Sequence, residues 1–262
     1  MGRIESCFES LRSKGEKGLI TFITAGDPSI ENTLDYMQSL VDGGADVIEL
    51  GVPFSDPMAD GPTIQRASER SLAAGTDLSS IFMLVRAFRE RNASTPVILM
   101  GYMNPFESMG VQEFCKEASN KGVDGILIVD MPPEESTEFS KEAKNYGIDV
   151  IRLIAPTTDL SRAKEICNLS SGYIYYISVK GITGSKDLDS EDVQQKVELL
   201  STETNLPIAI GFGIKDSKSA LSVKDFADGI VVGSVFVDLV GEGGDTIKKI
   251  AAKTKELSLA LK

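Results

Sequence analysis

The chain contains no histidine. That removes the Ser-His and Cys-His nucleophile systems and most transition-metal sites in one step. Cysteine is scarce and odd in number: Cys7, Cys115 and Cys167 are widely spaced and fall on predicted helices. They read as small buried hydrophobes in a reducing cytoplasm, not as bridges or metal ligands. No apolar run approaches the ~18 residues needed to cross a bilayer. Basic residues are outnumbered, with 27 Lys and Arg against 39 Asp and Glu and a net charge of −12. That balance argues against nucleic acid or an anionic membrane surface as a partner. It leaves room for an anionic small ligand, provided that backbone N–H groups build a local site for it. The N-terminus interleaves Arg3, Glu5, Glu9 and Arg12 with Ile4, Phe8 and Leu11. This is the pattern of an amphipathic helix, not of a signal peptide, so a cytoplasmic protein is expected. Met1 to Ser6 also fits the short myristoylation pattern, which chance explains equally well.

What is present is a regular alternation. Short apolar runs cover Gly18–Thr24, the stretch from Ala45, Pro96–Met100, Gly125–Val129, Ile148–Ile154, Tyr173–Ile177, Pro207–Ile210 and Gly229–Val232. Each is followed by helical periodicity, at a spacing of roughly 25–30 residues. Buried strands alternating with helices mean a parallel sheet. Eight repeats in a chain of 262 residues predict an α/β fold, a single-domain (β/α)8 TIM barrel over residues 1–262 with an extra N-terminal helix. A doubly wound sheet is disfavoured, because no Gly-x-Gly-x-x-Gly follows the first strand. After that strand, Asp27 is expected as N-cap and Pro28 at the first helical position. Gly101 to Pro105 is expected as a loop. Glu134 and Glu135 are expected in a helix's first turn, and Leu221 and Phe226 on a helix's apolar side.

The chemistry centres on the second strand. Its apolar run ends in a carboxylate, Glu49, and the loop behind it carries Asp56 and Asp60. A Glu at a buried strand end is desolvated, which raises its pKa toward the range useful for proton transfer. A second carboxylate, Asp60, in a different environment would complete an acid/base pair. In a barrel, residues just past the strands meet at one rim. Three glycine turns fall there: Gly181 to Ser185, Gly211-Phe212-Gly213 and Gly233-Ser234. With Ser234 heading a helix, they suit a phosphate, and Lys180 and Lys186 lie nearby. Phe22, Met100, Tyr102, Leu127, Val129, Leu153, Tyr175 and Phe212 would supply barrel filling and an apolar wall. Together these features describe a site for a flat apolar ring on a short phosphorylated chain. Asp130 ends a strand too, and with Glu49 and Asp60 would offer Mg²⁺ a carboxylate set. The Met131-Pro132-Pro133 that follows it, and the lack of a Lys or His base at an opposing strand end, argue against a metal.

The stretch Glu49-Leu50-Gly51-Val52-Pro53-Phe54-Ser55-Asp56-Pro57-Met58-Ala59-Asp60-Gly61-Pro62-Thr63-Ile64-Gln65 closely resembles the signature of the tryptophan synthase alpha subunit family. Met100 to Pro105, Asp130 to Glu135, Ala155 to Thr158, Gly172 to Tyr176, Gly181 to Gly184 and Gly211 to Ile214 are similar too, so the resemblance covers essentially the whole chain. It implies a lyase of tryptophan biosynthesis that cleaves indole-3-glycerol phosphate to indole and glyceraldehyde 3-phosphate, a retro-aldol reaction with no cofactor in this chain. It implies Glu49, Asp60 and Tyr175 as catalytic residues. Phe22, Met100, Tyr102, Leu127, Thr183 and Phe212 would bind substrate, and Gly184, Gly213, Gly233 and Ser234 the phosphate. It further implies a beta subunit that carries pyridoxal phosphate, in an alpha2beta2 heterotetramer, met by Asp56, Pro57, Asn104 and Pro132. The chain departs from the pattern at Ser178-Val179-Lys180 and at Ile182, where Val is more usual; neither change touches the carboxylates. Two other functions compete with the lyase: an alpha subunit acting chiefly as allosteric activator of beta, and another phosphate-binding barrel enzyme. The intact carboxylate pair and the length of the first motif favour the lyase.

Overall fold

The computed structural model describes residues 2–178, 190–211 and 213–262. The strands β1 (Gly18–Thr24), β2 (Val47–Gly51), β3 (Val97–Gly101), β4 (Gly125–Ile128), β5 (Asp149–Ile154), β6 (Ile174–Ile177), β7 (Ile208–Gly211) and β8 (Gly229–Val232) close a parallel barrel in chain order. The helices are α1 (Arg3–Lys14), α2 (Ile30–Asp42), α3 (Pro62–Ala73), α4 (Leu78–Arg91), α5 (Met103–Met109), α6 (Val111–Lys121), α7 (Thr137–Asn145), α8 (Leu160–Leu169), α9 (Ser190–Ser201), α10 (Ser217–Leu221), α11 (Ser234–Glu242) and α12 (Thr246–Leu261). The (β/α)8 expectation holds, extra N-terminal helix included.

Two cores follow from the pleat. Outward residues such as Leu19, Ile23, Ile48, Leu50 and Val97 pack under the helices. Inward ones, among them Ile20, Val47, Ile98, Leu127, Ile151 and Val231, fill the barrel. Ile4, Phe8 and Leu11 of α1 join the inner cluster, so the N-terminal helix plugs the bottom of the barrel. Burying each of those side chains contributes about 1.5–3 kcal/mol. Aspartates at the strand starts brace the same end. Asp46 accepts the Leu19 N–H at 2.8 Å, Asp124 that of Val97 at 2.8 Å, and Asp228 that of Ile208 at 2.9 Å. Function is thereby left to the opposite rim.

Four local expectations are corrected. The cap of α2 is Ser29, whose hydroxyl accepts the Asn32 N–H. Asp27 is instead buried and takes a bidentate ion pair from Arg70, at 2.8 and 2.7 Å. Desolvating a carboxylate costs more than a cap returns unless a cation meets it, and Arg70 does so. The loop expected at Gly101 to Pro105 turns into α5 at Met103, where Asp130 Oδ1 accepts the Met103 N–H at 2.8 Å. Glu134 and Glu135 lie in a short 3-10 turn ahead of α7, where Glu134 pairs with Arg162. Leu221 is exposed to solvent, while Phe226 packs against the core. Cys115 and Cys167 are buried as expected, whereas Cys7 is only partly so. Among the described residues, no helix is long and apolar enough to cross a membrane.

Candidate active site

Glu49 lies inside β2, level with Phe22 of β1 and Ile98 of β3, and is wholly buried. An acid there must be neutral or hydrogen-bonded. Its Oε1 accepts the Tyr173 hydroxyl at 2.5 Å; its Oε2 is buried with no partner among the described residues. Burial pushes the carboxyl up to about 7, and the Tyr173 bond pulls the other way. The side chain can therefore hold or release a proton near neutral pH.

Tyr173 was missed by sequence reasoning, which marked it only as a strand residue. The signal that would have found it is the two-residue alternation of Tyr173 and Tyr175, which puts both rings on the inner face. The Tyr173 ring rests on Phe8, 5.8 Å between centroids, so the plug helix backs the acid's hydrogen-bond partner. Tyr175 is buried beside them, and burial with the Glu49 charge holds its phenol protonated. A Cβ on Gly211 would stand 2.2 Å from the Tyr175 hydroxyl, so that ring occupies the space a side chain on β7 would need.

Asp60 sits on the β2–α3 loop in a cleft walled by Phe22, Ile64, Met100, Tyr102 and Val129. Burial raises its carboxyl above the usual range, and a hydrogen bond from Tyr102 offsets part of the rise. Tyr102 also accepts the Ala59 N–H at 2.9 Å and packs, tilted, against Phe54 at 5.2 Å between centroids, so one phenol anchors the loop that carries Asp60. Gly51 is needed at the cleft floor, where a Cβ would meet the Phe22 ring at 2.5 Å. Of the expected substrate contacts, Phe22, Met100 and Tyr102 line this cleft with Asp60, and Leu127 lies deeper, in the barrel interior.

Beside β1 on the same rim, Gly233 precedes α11 and lies next to Phe22, and Ser234 is the first residue of the helix. The first N–H groups of a helix lack intrahelical partners and face whatever anion approaches. Gly211 pairs with Val231 at the ends of β7 and β8, and Gly213 and Gly233 each follow two residues further along the chain. Gly213 has φ +81° with open space where a side chain would be. Thr183, Gly184 and Phe212, with Lys180, Lys186 and the rest of the Gly181 turn, lie outside the described residues. Asp56 and Pro57 fall on the loop after β2, Asn104 in the first turn of α5 and Pro132 on the loop after β4, and the Asp130 bond to Met103 ties the start of α5 to that last loop. Asp130 is thus engaged at the start of α5. Among the described residues, no group of three His, Cys, Asp or Glu side chains is placed to hold a metal ion.

A carboxyl poised to exchange a proton inside a closed barrel, with a second on the loop at its C-terminal rim, puts the chain among the acid–base enzymes of the (β/α)8 class. The family model of the tryptophan synthase alpha chain matches residues 8–262, and the chain belongs to that family. It is 48% identical to the tryptophan synthase alpha chain of Polynucleobacter asymbioticus, over 100% of this chain and 99% of the relative. The crystal structure of tryptophan synthase subunit alpha from Legionella pneumophila is 39% identical, with a TM-score of 0.93 over 100% of this chain and 98% of that one. A chain of the tryptophan synthase complex from Pyrococcus furiosus is 38% identical, with a TM-score of 0.83 over 92% of this chain and 98% of that one. The chain is accordingly a carbon–carbon lyase that cleaves indole-3-glycerol phosphate to indole and glyceraldehyde 3-phosphate.

Proposed function

We propose that Glu49 carries both proton transfers of this cleavage. Its neutral carboxyl protonates C3 of the indole ring, which turns the ring into an electron sink. The resulting carboxylate takes the proton of the side-chain hydroxyl on the carbon attached to C3. The carbonyl of glyceraldehyde 3-phosphate forms, the carbon–carbon bond breaks, and its electron pair returns to the ring. Glu49 ends protonated, ready for the next turnover. The observation that supports this reading most strongly is a wholly buried Glu49 held at about 7, because a general acid works best with a pKa near the operating pH. Asp60 stabilises the positive charge that develops at the ring nitrogen, and the Tyr175 phenol assists beside Glu49. Tyr173 orients the Glu49 carboxyl. Phe22, Met100, Tyr102, Leu127 and Phe212 hold the ring. Gly184, Gly213, Gly233 and Ser234 hold the phosphate, and Thr183 binds the substrate.

The chain works as one domain in the cytoplasm, with a beta subunit as partner in an alpha2beta2 heterotetramer. The Pyrococcus furiosus neighbour, described as part of a complex, supports that partnership. Asp56, Pro57, Asn104 and Pro132 form the contact face, where Met58 is 82% exposed. Pyridoxal phosphate belongs to the beta subunit, and the alpha family needs no cofactor of its own. Steady-state cleavage of indole-3-glycerol phosphate, with beta present, tests the assignment. Glu49→Gln and Asp60→Asn should each lower turnover by orders of magnitude. Wild-type turnover in both variants would sink it.

A further inference from the structure

The cleft that holds Asp60 contains a hydroxyl with nothing to bond among the described residues. Thr24, the last residue of β1, is 4% exposed, lines the cleft, and buries its Oγ1 without a hydrogen-bond partner there. The other threonine of that strand's outer half behaves differently: Thr21 Oγ1 donates to the Val47 carbonyl at 3.3 Å. An unpaired buried hydroxyl is destabilising, and valine has the same shape without that cost. Structure alone therefore gives no reason for a threonine at this strand end. Ligand binding gives one. Thr24 is level with Gly51, and the Phe22 ring of the cleft wall takes the place that a side chain on Gly51 would need. Asp60 and Ser68 line the same cleft, the latter also 4% exposed. A carboxylate has about four acceptor positions. Tyr102 fills one on Asp60, and a ring N–H would fill another, which leaves the carboxylate free to turn about the axis between them.

We propose that Thr24 is a positioning residue: when an indole ring fills the cleft, its hydroxyl donates to the Asp60 carboxylate. Tyr102 and Thr24 then hold that carboxylate from two sides against the ring N–H. The assignment rests on the reading of Asp60 given above. Thr24→Val and Thr24→Ser test it, with Asp60→Asn run alongside. Thr24→Val removes an orphan hydroxyl, so its ligand-free Tm should equal or exceed that of the wild type. Its kcat/KM for indole-3-glycerol phosphate should fall about ten- to a hundred-fold, and its affinity for indole, by calorimetry, should fall as well. Asp60 would lose a donor that favours its ionised form, so the acidic limb of the kcat/KM profile should move to higher pH. Thr24→Ser should restore turnover to within a few-fold of wild type. Unimpaired kcat/KM and indole affinity in Thr24→Val, with Asp60→Asn inactive, would overturn the proposal alone. So would equal losses in Thr24→Val and Thr24→Ser together with a lowered Tm, which mark a packing role. An active Asp60→Asn would overturn the reading of Asp60 first, and the proposal with it.

Discussion

Replacing Tyr173 with Phe isolates the balance that makes Glu49 an acid. The Tyr173 hydroxyl is the single donor to the Glu49 carboxyl among the described residues, at 2.5 Å, and the other carboxyl oxygen has none. Burial raises the pKa to about 7 against the pull of that bond. A hydrogen bond to a charged group is worth about 1.5–3 kcal/mol, and a unit of pKa corresponds to about 1.4 kcal/mol. Removing the bond should thus raise the Glu49 pKa by roughly one to two units. Cleavage needs the protonated form at the outset, so activity is present below the pKa and lost as pH rises through it. The alkaline limb of kcat/KM, near pH 7 in the wild type, should move upward by the same roughly one to two pH units in Tyr173→Phe. Turnover at low pH should drop modestly, since the carboxyl loses its orienting partner. The assay is steady-state cleavage of indole-3-glycerol phosphate across pH 5.5 to 9.5. Substrate phosphate titrates equally in both proteins, so the difference between the profiles belongs to the enzyme. An unmoved alkaline limb would refute the argument, because it would mean that Glu49 is not the group that titrates there.

The same pKa carries a stability consequence. A carboxyl held at about 7 instead of its ordinary 4.5 leaves stability intact below about pH 4.5 and erodes it as pH rises to 7, by up to about 3 kcal/mol. Glu49→Gln should then raise Tm on the order of 5 °C at pH 8 and leave it unchanged at pH 4 in thermal scans. Tyr102→Phe removes the donor that favours ionised Asp60. Activity that requires the Asp60 anion is lost as pH falls, so the acidic limb of kcat/KM should move to higher pH while the alkaline limb stays. Gly211→Ala places a methyl group 2.2 Å from the Tyr175 hydroxyl and 2.5 Å from its ring. The ring must shift, and turnover should fall about ten-fold or more, while overpacking should lower stability by about 1–3 kcal/mol in urea denaturation. Arg70→Met strands the Asp27 carboxylate, 2% exposed, without its two hydrogen bonds. Urea denaturation should report a loss on the order of 2 kcal/mol, reduced from the fully buried case because Arg70 is 39% exposed.

Much of this architecture was legible in the order of residues, for identifiable reasons. Strands such as Gly18–Thr24 and Gly229–Val232 were placed to the residue, because buried parallel strands write themselves as unbroken apolar runs. Glu49 was found because a lone carboxylate interrupts such a run. The misses share a different cause. Asp27 looks like a cap in sequence, and only the approach of Arg70, 43 residues away, turns it into half of a buried ion pair. Helix α5 was hidden because the residue that satisfies its first N–H, Asp130, lies 27 residues further along. Tyr173 was passed over because its partner Glu49 is 124 residues distant. Local periodicity reports which face of an element is apolar. It cannot report which polar groups the barrel closure brings together.

That closure also explains why two carboxyl groups on one short stretch do different work. Glu49 belongs to the strand itself, inside the ring of hydrogen-bonded backbones, where water is excluded on every side and one phenol is its partner. The neutral form is favoured there, and a neutral acid can give a proton away. Asp60 stands eleven residues later on a loop, half-buried, with Tyr102 favouring its charged form. An anion there can stabilise positive charge without taking the proton. The Val52 to Gly61 segment is therefore a change of solvent more than a spacer: it carries the chain from the dry interior to the wet rim. Moving either carboxyl to the other's position would exchange acid for anion. For that reason the distance in sequence between Glu49 and Asp60, set by where β2 ends, belongs to the chemistry as much as to the fold.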